Sequence, residues 1–339
     1  MTIPEITQLK SLLAQPKNIV VIPHRNPDGD AMGSTLALSR YLEKKGHNAL
    51  VIAPNEYPQF LQWLPGNDDV LIYSQKNEEA TQKIKDADLI FTLDFNHFSR
   101  TGSDMEAVLE QSPATFVMID HHQQPADYAA VTYSDTSMSS TCEMVYHFID
   151  FLDDTGLIDK EMAACIYTGI MTDTGSFRFS STTSKTHTVV AALIDKGADN
   201  TDIYQNINDS WSLSKMQLLG VALKNLRVVE EFNTAYITLT QEELDDHNFQ
   251  KGDTEGFVNY GLALLGIRFA VIFIENKADT IIKMSLRSKG NFSVNDVART
   301  HYHGGGHINA AGGKSDLNMK DTIAHFISIL PQYKALLTQ

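Results

Sequence analysis

The sequence predicts an α/β protein with a parallel-sheet N-terminal domain, a helical connector and a smaller mixed α/β C-terminal domain. Three observations predict it. Short, near-continuous apolar runs alternate with amphipathic stretches over the first 120 residues, the pattern of a parallel sheet covered on both faces. A 16-residue amphipathic stretch with no loop composition, residues 212–227, follows a purely helical region. Beyond it the pattern changes to strand-like runs, a glycine-rich turn at residues 304–307 and a last helical stretch. A chain of 339 residues is also the length of about two domains.

In order, residues 18–24 (NIVVIPH) form a first apolar strand. Residues 31–45 have helical spacing and stop at Gly46. Strands are expected at 48–53, 88–95 (DLIFTLDF) and 115–120 (TFVMID), with helices at 77–86 and 104–110 between them. Helices follow at 139–152, opening on the Ser/Thr run SSTCE, at 160–171 and at 183–196. After the connector, strands are expected at 235–240, 268–274 and 280–287, with a hairpin turn at 274–279. Helices are expected at 256–266, 294–303 and 320–330, the last ended by Pro331. The boundaries are 1–205, 206–228 and 229–339.

Charge and composition exclude some functions. The formal net charge is −15, and the first 229 residues hold 29 Asp and Glu against 17 Lys and Arg. That balance disfavours a protein that grips long duplex through its backbone. It does not disfavour a small phosphorylated substrate. The two cysteines, Cys142 and Cys165, lie in apolar helical text and read as free buried thiols. No secretory leader and no membrane-length apolar run is visible, so a cytoplasmic location is expected.

The chemistry gathers at strand ends. His24, Asp94 and Asp120 each fall at the C-terminal end of an expected strand, the edge where open α/β sheets bind ligands. The segment from His24 to Ser34 places an imidazole and the carboxylates Asp28 and Asp30 at a strand-to-helix junction, with Gly29 allowing an unusual turn. The plain alternative for Asp30 is a helix cap. Asp94 ends a run that reads as fully buried, where a carboxylate is costly unless paired or bound to metal. Asp120-His121-His122 closes the next strand, and Asp173 follows a helix of small and apolar residues. Together His24, Asp28, Asp30, Asp94, His121 and Asp173 offer six oxygen and nitrogen ligands and no sulfur. That set suits two divalent ions, Mn²⁺ first and Mg²⁺ second, arranged for in-line displacement at phosphorus.

These segments resemble the four ordered motifs of the DHH phosphoesterase family: His24 with Asn26-Pro27-Asp28-Gly29-Asp30, Leu93-Asp94, Asp120-His121-His122 and Thr172-Asp173-Thr174-Gly175. Gly304-Gly305-Gly306-His307 resembles the signature of the DHH-associated domain. The resemblance spans nearly the whole chain. It implies a catalytic DHH domain over 1–205 and a substrate-binding domain over 229–339. It implies one metal on His24, Asp28 and Asp94, and another on Asp30, Asp94, His121 and Asp173, with Asp94 bridging. Asp120 would orient a histidine, and His122 would face the substrate as hydrogen-bond or proton donor.

In the second domain, the resemblance implies that Arg287 and His307 grip the nucleotide. The Gly304, Gly305 and Gly306 amides suit a phosphate. Arg100, six residues after Asp94, is a further substrate candidate, as is Arg178; His301 and His303 flank the glycine run. The aromatic pair Phe177 and Phe179 reads as core rather than as a base-stacking surface.

Two-domain members of the family imply hydrolysis of very short RNA (nano-RNA) to mononucleotides and removal of the 3′-phosphate of 3′-phosphoadenosine 5′-phosphate (pAp). The expected partners are short single-stranded RNA or DNA and small nucleotides, with no membrane and with a homodimer left open. Linear or cyclic dinucleotides are the alternative substrates, and a nucleotide-sensing binding module is the non-catalytic alternative. The glycine–histidine run speaks against the related manganese pyrophosphatases.

Overall fold

The computed structural model describes residues 1–338, which divide into two compact units, residues 1–210 and 211–338. In the first unit, strands β1 (Asn18–Ile22), β2 (Asn48–Ala53), β3 (Leu71–Ile72), β4 (Leu89–Leu93), β5 (Thr115–Asp120) and β6 (Val131–Ser134) form one sheet of order β3-β2-β1-β4-β5-β6. Every pairing is parallel. The helices are α1 (Ile3–Leu12), α2 (Gly29–Lys44), α3 (Asn77–Lys85), α4 (Ser103–Glu110), α5 (Thr141–Phe151), α6 (Lys160–Asp173), α7 (Ser184–Asp195) and α8 (Asn200–Asn208).

Alternation along each strand builds a core on both sheet faces. Ile19 and Val21 of β1 join α2, α5, α6 and α7 in one cluster, while Val20 and Ile22 join the residues of α3 and α4 in another. The chain leaves β1 toward β2 and returns as β4 on the other side of β1. That reversal opens a crevice at the C-terminal ends of β1 and β4, where such sheets bind ligands. His24 lies just past β1, Asp94 directly follows β4, and Asp120 is the last residue of β5. The edge strands β3 and β6 were not expected from sequence.

Small residues let the helices close on the site. A Cβ at Gly33 of α2 would come within 2.4 Å of the Cys165 carbonyl oxygen on α6. One at Gly169 would meet Cys142 Sγ at 2.1 Å and Asp30 Oδ1 at 2.8 Å. Both cysteines are buried and free, as expected.

The second unit comprises α9 (Leu213–Asn225), β7 (Arg227–Val229), β8 (Thr234–Leu239), α10 (Gln241–Asp246), α11 (Val258–Leu262), β9 (Phe269–Asn276), β10 (Ile281–Ser288), α12 (Val294–His301), β11 (Gly305–Gly306), β12 (Ala310–Ser315) and α13 (Met319–Leu337). Its mixed sheet has the order β11-β12-β10-β9-β8-β7, and only β8–β9 is a parallel pair. Helix α9 shares this unit's core: Leu218, Leu219 and Ala222 pack with Ile237, Leu239 and Ile272. The β9–β10 hairpin turns where expected.

Three expectations are corrected. Pro331 lies inside α13 rather than ending it. The helix expected over 256–266 is only the short α11. The glycine run is not an open turn: Gly305 and Gly306 pair as a strand with Gly312 and Ala311.

Candidate metal centre

The turn after β1 sets the first ligands. Asn26 takes a left-handed conformation (φ 57°), fixed by mutual hydrogen bonds with Asn55 at 2.7 and 3.0 Å. Pro27 then delivers the chain to Asp28, whose Oδ1 accepts the amides of Asp30 and Ala31, both at 3.1 Å, and caps α2. The cap is therefore Asp28, not Asp30. Gly29 sits in the first turn of α2 and is not left-handed. It is needed for space, because a Cβ there would stand 2.4 Å from Thr172 Oγ1.

Asp94 stands at the middle of the site on left-handed backbone (φ 64°), a strained conformation of the kind found at functional positions. Its Oδ2 is 3.3 Å from His24 Nε2, and its Oδ1 is 3.5 Å from His121 Nε2. On the first side, Asp28 Oδ2 is 3.9 Å from His24 Nε2. On the second, Asp30 Oδ2 and Asp173 Oδ2 are 3.8 and 3.5 Å from His121 Nε2. Two groups of potential ligand atoms result, His24–Asp28–Asp94 and Asp30–Asp94–His121, with Asp94 common to both. Asp173, the last residue of α6, borders the second.

The hydrogen bonds behind the ligands aim them. His24 Nδ1 lies 3.0 Å from the Arg25 carbonyl oxygen and His121 Nδ1 lies 3.3 Å from that of Met138. Each Nδ1–H donates there, which turns Nε2 toward the carboxylates. Asp30 accepts the amides of Thr141 (2.7 Å) and Cys142 (2.8 Å) at the positive N-terminus of α5. The Thr141 hydroxyl also donates to Asp94 Oδ1 at 3.0 Å. The start of α5 is itself fastened by buried Glu143, which accepts from the Ser139 hydroxyl and from Thr186 Oγ1 of α7 at 3.1 Å. The Thr141 and Cys142 contacts are not marked by any ligand motif. The signal for them is SSTCE, whose Ser140 caps α5 and so locates a helix N-terminus.

The electrostatics call for a cation. Asp30 is 1% and Asp94 2% exposed, and His24 and His121 are buried with them. Burial, then repulsion from Asp94 and Asp173, pushes Asp30 well above the usual carboxylate range. Burial likewise raises Asp173 to about 6. Burial would raise Asp94 too, but hydrogen bonds from His121 and His24 hold it well below the usual range. Burial opposes protonation of His24, but the Asp94 hydrogen bond and the charges of Asp28 and Asp94 lift it to about 9. The same balance, with Asp94 and Asp173, raises His121.

Four carboxylates thus converge on two imidazole nitrogens. Protons on the histidines relieve that repulsion; divalent cations between the same atoms relieve it more completely. The residues fit one or two such ions, and the donors are all oxygen and nitrogen. The nearby Cys142 thiol donates to the Asp30 carbonyl oxygen at 3.5 Å, and burial raises its pKa well above the usual thiol range, which disfavours the thiolate that metal binding needs.

Asp120 and His122 pair beside the centre, with His122 Nδ1 also 3.6 Å from Asp94 Oδ1, so that Asp94, Asp120 and His122 make a further converging group. Asp120 is fully buried, and its Oδ1 accepts His122 Nδ1–H at 2.7 Å. His122 is the histidine that Asp120 orients. Arg100 is exposed in a 3₁₀ turn (Phe98–Thr101), its carbonyl oxygen accepting the Arg25 amide at 2.7 Å, and its charge opposes protonation of His24.

In the second unit, Arg287 lies near the end of β10 with Nη1 on the Leu286 carbonyl oxygen at 3.0 Å. The Gly304 amide bonds Ala298 O (3.1 Å), the Gly306 amide bonds Asn295 Oδ1 (2.9 Å) and the His307 amide bonds Ala310 O (2.7 Å). A Cβ at Gly304 would strike the Gly312 carbonyl oxygen at 1.9 Å, so close backbone packing requires glycine there. His301 Nε2 pairs with Tyr333 Oη at 2.9 Å, and His303 is left-handed (φ 48°).

Family models agree with this construction. The DHH family N-terminal domain matches residues 18–170, and the DHHA1 domain matches residues 232–332. The chain belongs to the DHH family. This DHH protein is 30% identical over 298 residues to the bifunctional oligoribonuclease and PAP phosphatase NrnA of Thermus thermophilus, covering 87% of this chain and 83% of that one. It is 29% identical over 313 residues to the probable NrnA of Streptococcus mutans, covering 91% and 94%. The crystal structure of an exopolyphosphatase-related protein from Bacteroides fragilis superposes with a TM-score of 0.95 at 38% identity, covering 100% of this chain and 98% of that one. A cyclic-di-AMP phosphodiesterase, PdeA of Listeria monocytogenes, is 25% identical over 344 residues, and the match spans 49% of its length. The DHH chain is thus a metal-binding phosphoesterase of the NrnA-like type, with two candidate metal-ligand clusters meeting at Asp94.

Proposed function

We propose that this protein hydrolyses short oligoribonucleotides to mononucleotides and removes the 3′-phosphate of pAp, using two divalent ions, with Mn²⁺ as the working metal. The observation that carries the reading is Asp94, which turns one carboxylate oxygen to each of two ligand groups. His24 and Asp28 would complete one position; Asp30, His121 and Asp173 would complete the other. When bound, such an ion pair generates a nucleophile from water near neutral pH and stabilises charge on the phosphoryl oxygens.

The chain's own residues do the rest. The α5 amides donate to Asp30 and fix where its oxygens point, and the Thr141 hydroxyl fixes the rotation of Asp94. Asp120 holds His122 by Nδ1, which assigns proton donation toward a leaving oxygen to Nε2. In the second unit Arg287, Gly304, Gly305, Gly306 and His307 are the proposed nucleotide-binding residues, with Arg100 a phosphate partner in the first. No helix among the described residues is long and apolar enough to cross a membrane.

The similarity to NrnA proteins over nearly their full length supports nano-RNA and pAp as substrates. The partial match to PdeA makes dinucleotides the second choice. One panel tests the reading: purified protein with Mn²⁺ against pAp, 5′-phosphorylated RNAs of graded short lengths, linear and cyclic dinucleotides, and pyrophosphate. Turnover of pAp and the shortest RNAs is expected. Preference for pyrophosphate, or nucleotide binding with no hydrolysis, overturns it.

A further inference from the structure

The segment that follows Asp173 is built unusually. Gly175, Ser176 and Phe177 are all left-handed, at φ 56°, 60° and 64°. Residues with a Cβ avoid that region, and consecutive ones do so strongly. The turn is held by many bonds: Gly175 N to Thr172 O (3.1 Å), Ser176 N to Met171 O (2.8 Å), and Phe177 N to Thr174 Oγ1 (3.0 Å). The Thr174 carbonyl oxygen then accepts the amides of both Arg178 and Phe179 at 3.0 Å. Strain this firmly fixed points to a purpose in what the turn displays.

It displays one ring and one cation. The turn sends the two phenylalanines in opposite directions. Phe177 packs inward, its ring 5.8 Å from Tyr167 and 5.7 Å from His187. Phe179 faces outward and stays 39% exposed. Its ring lies directly over Gly175, where a Cβ would come within 2.5 Å of Cζ, so the glycine backbone serves as a rigid backing. Arg178 is exposed as well, and its Nε donates to the Gly175 carbonyl oxygen at 2.6 Å. One N–H thus anchors the guanidinium 5.9 Å from the Phe179 ring, leaving the Nη fork to meet an anion. All of this stands within six residues of Asp173.

We propose that Arg178 and Phe179 form a nucleotide subsite at the edge of the acidic centre, the guanidinium pairing with a substrate phosphate and the ring stacking on a base. The proposal rests on the phosphoesterase reading above and deepens it: the catalytic unit itself recognises the nucleotide, and recognition through a ring face tolerates any base. The expectation that both phenylalanines are core holds for Phe177 alone.

The test compares the Mn²⁺-loaded wild type with Phe179→Ala, Phe179→Tyr and Arg178→Gln. The substrates are a 5′-phosphorylated diribonucleotide and its abasic analogue. Phe179→Ala is expected to raise KM for the dinucleotide about 10-fold or more, with kcat little changed and KM for the abasic analogue unchanged. Phe179→Tyr restores KM, and Arg178→Gln raises KM for both substrates. Circular dichroism and Mn²⁺ affinity equal to wild type establish that the variants are folded; Phe179→Leu replaces Phe179→Ala, and Arg178→Lys replaces Arg178→Gln, where one is not. An unchanged KM, or an equal rise for the abasic analogue, overturns the subsite while leaving the phosphoesterase reading intact. A wild type that hydrolyses neither substrate overturns that reading and the subsite with it.

Discussion

Thr141 touches both ligand groups, and Thr141→Val separates its two contacts. The substitution keeps side-chain shape and the amide bond to Asp30 (2.7 Å), but deletes the 3.0 Å bond from Oγ1 to Asp94 Oδ1. A hydrogen bond to a charged acceptor contributes about 1.5–3 kcal/mol. Asp94 is 2% exposed, so water does not replace the missing donor. The bond is already present without metal, so part of its loss cancels between the free and bound states. What remains is loss of orientation in the carboxylate shared by both positions. Residues that support metal ligands typically contribute 10–100-fold in affinity, and the lower end, about 10-fold, is expected here. Calorimetric titration of Mn²⁺ into the metal-free protein measures it, with kcat at saturating Mn²⁺ as a second readout. Thr141→Ser keeps the hydroxyl and should remain near wild type. A folded Thr141→Val protein that binds Mn²⁺ as tightly as wild type would refute the orienting role.

Asp94→Asn removes the shared charge while keeping a residue that accepts left-handed backbone; Mn²⁺-dependent hydrolysis should fall at least about 100-fold, and near-normal turnover would sink the two-position site. Gly169→Ala forces a Cβ to within 2.1 Å of Cys142 Sγ and 2.8 Å of Asp30 Oδ1. Overpacking of that kind costs about 1–3 kcal/mol, or about 2–12 °C in Tm by differential scanning calorimetry; an unaltered Tm would contradict the tight packing of α6 on α5 and α2. For pH, the metal-free native state binds the His24 and His121 protons more tightly than the unfolded chain does. Their contribution to stability is complete below the unfolded histidine value near 6.5; the His24 share is lost as pH rises through about 9, and the His121 share is likewise lost at raised pH. Mn²⁺ requires neutral imidazoles, so the rise in Tm that it causes should grow over the same interval; a rise that shrinks with pH would show that these histidines do not bind the ion.

Much of the centre is legible because strand ends are legible. The runs that become β1, β4 and β5 are apolar and end abruptly in His24, Asp94 and Asp120, so both the sheet edge and its chemistry appear together in sequence. The Asp30 amide donors are not legible, since a backbone N–H carries no side-chain signature. The role of Gly29 is misread for a related reason. A glycine in sequence does not distinguish an unusual φ from an absent Cβ, and here Thr172 supplies the second cause. Pro331 illustrates tertiary override. Its cost inside a helix, about 3 kcal/mol, is offset by burial of Phe326, Ile329, Leu330 and Leu337 along α13. Strand β12 (AAGGKS) lacks the β-branched residues that mark a strand, and Tyr302 approaches its backbone too closely for a side chain at Gly313.

The spread of the ligands along the chain has a consequence for synthesis. His24, Asp28, Asp30 and Asp94 leave the ribosome before Thr141 and Cys142, whose amides hold Asp30, and before Asp173. A nascent chain that has reached only β5 carries most of the acids but lacks the α5 N-terminus and the α6 glycine that enclose them. Its carboxylates remain hydrated and repel one another. The two candidate ligand groups come together only once α5 and α6 have packed on α2, so firm retention of a metal there would report that the chain has folded as far as α6.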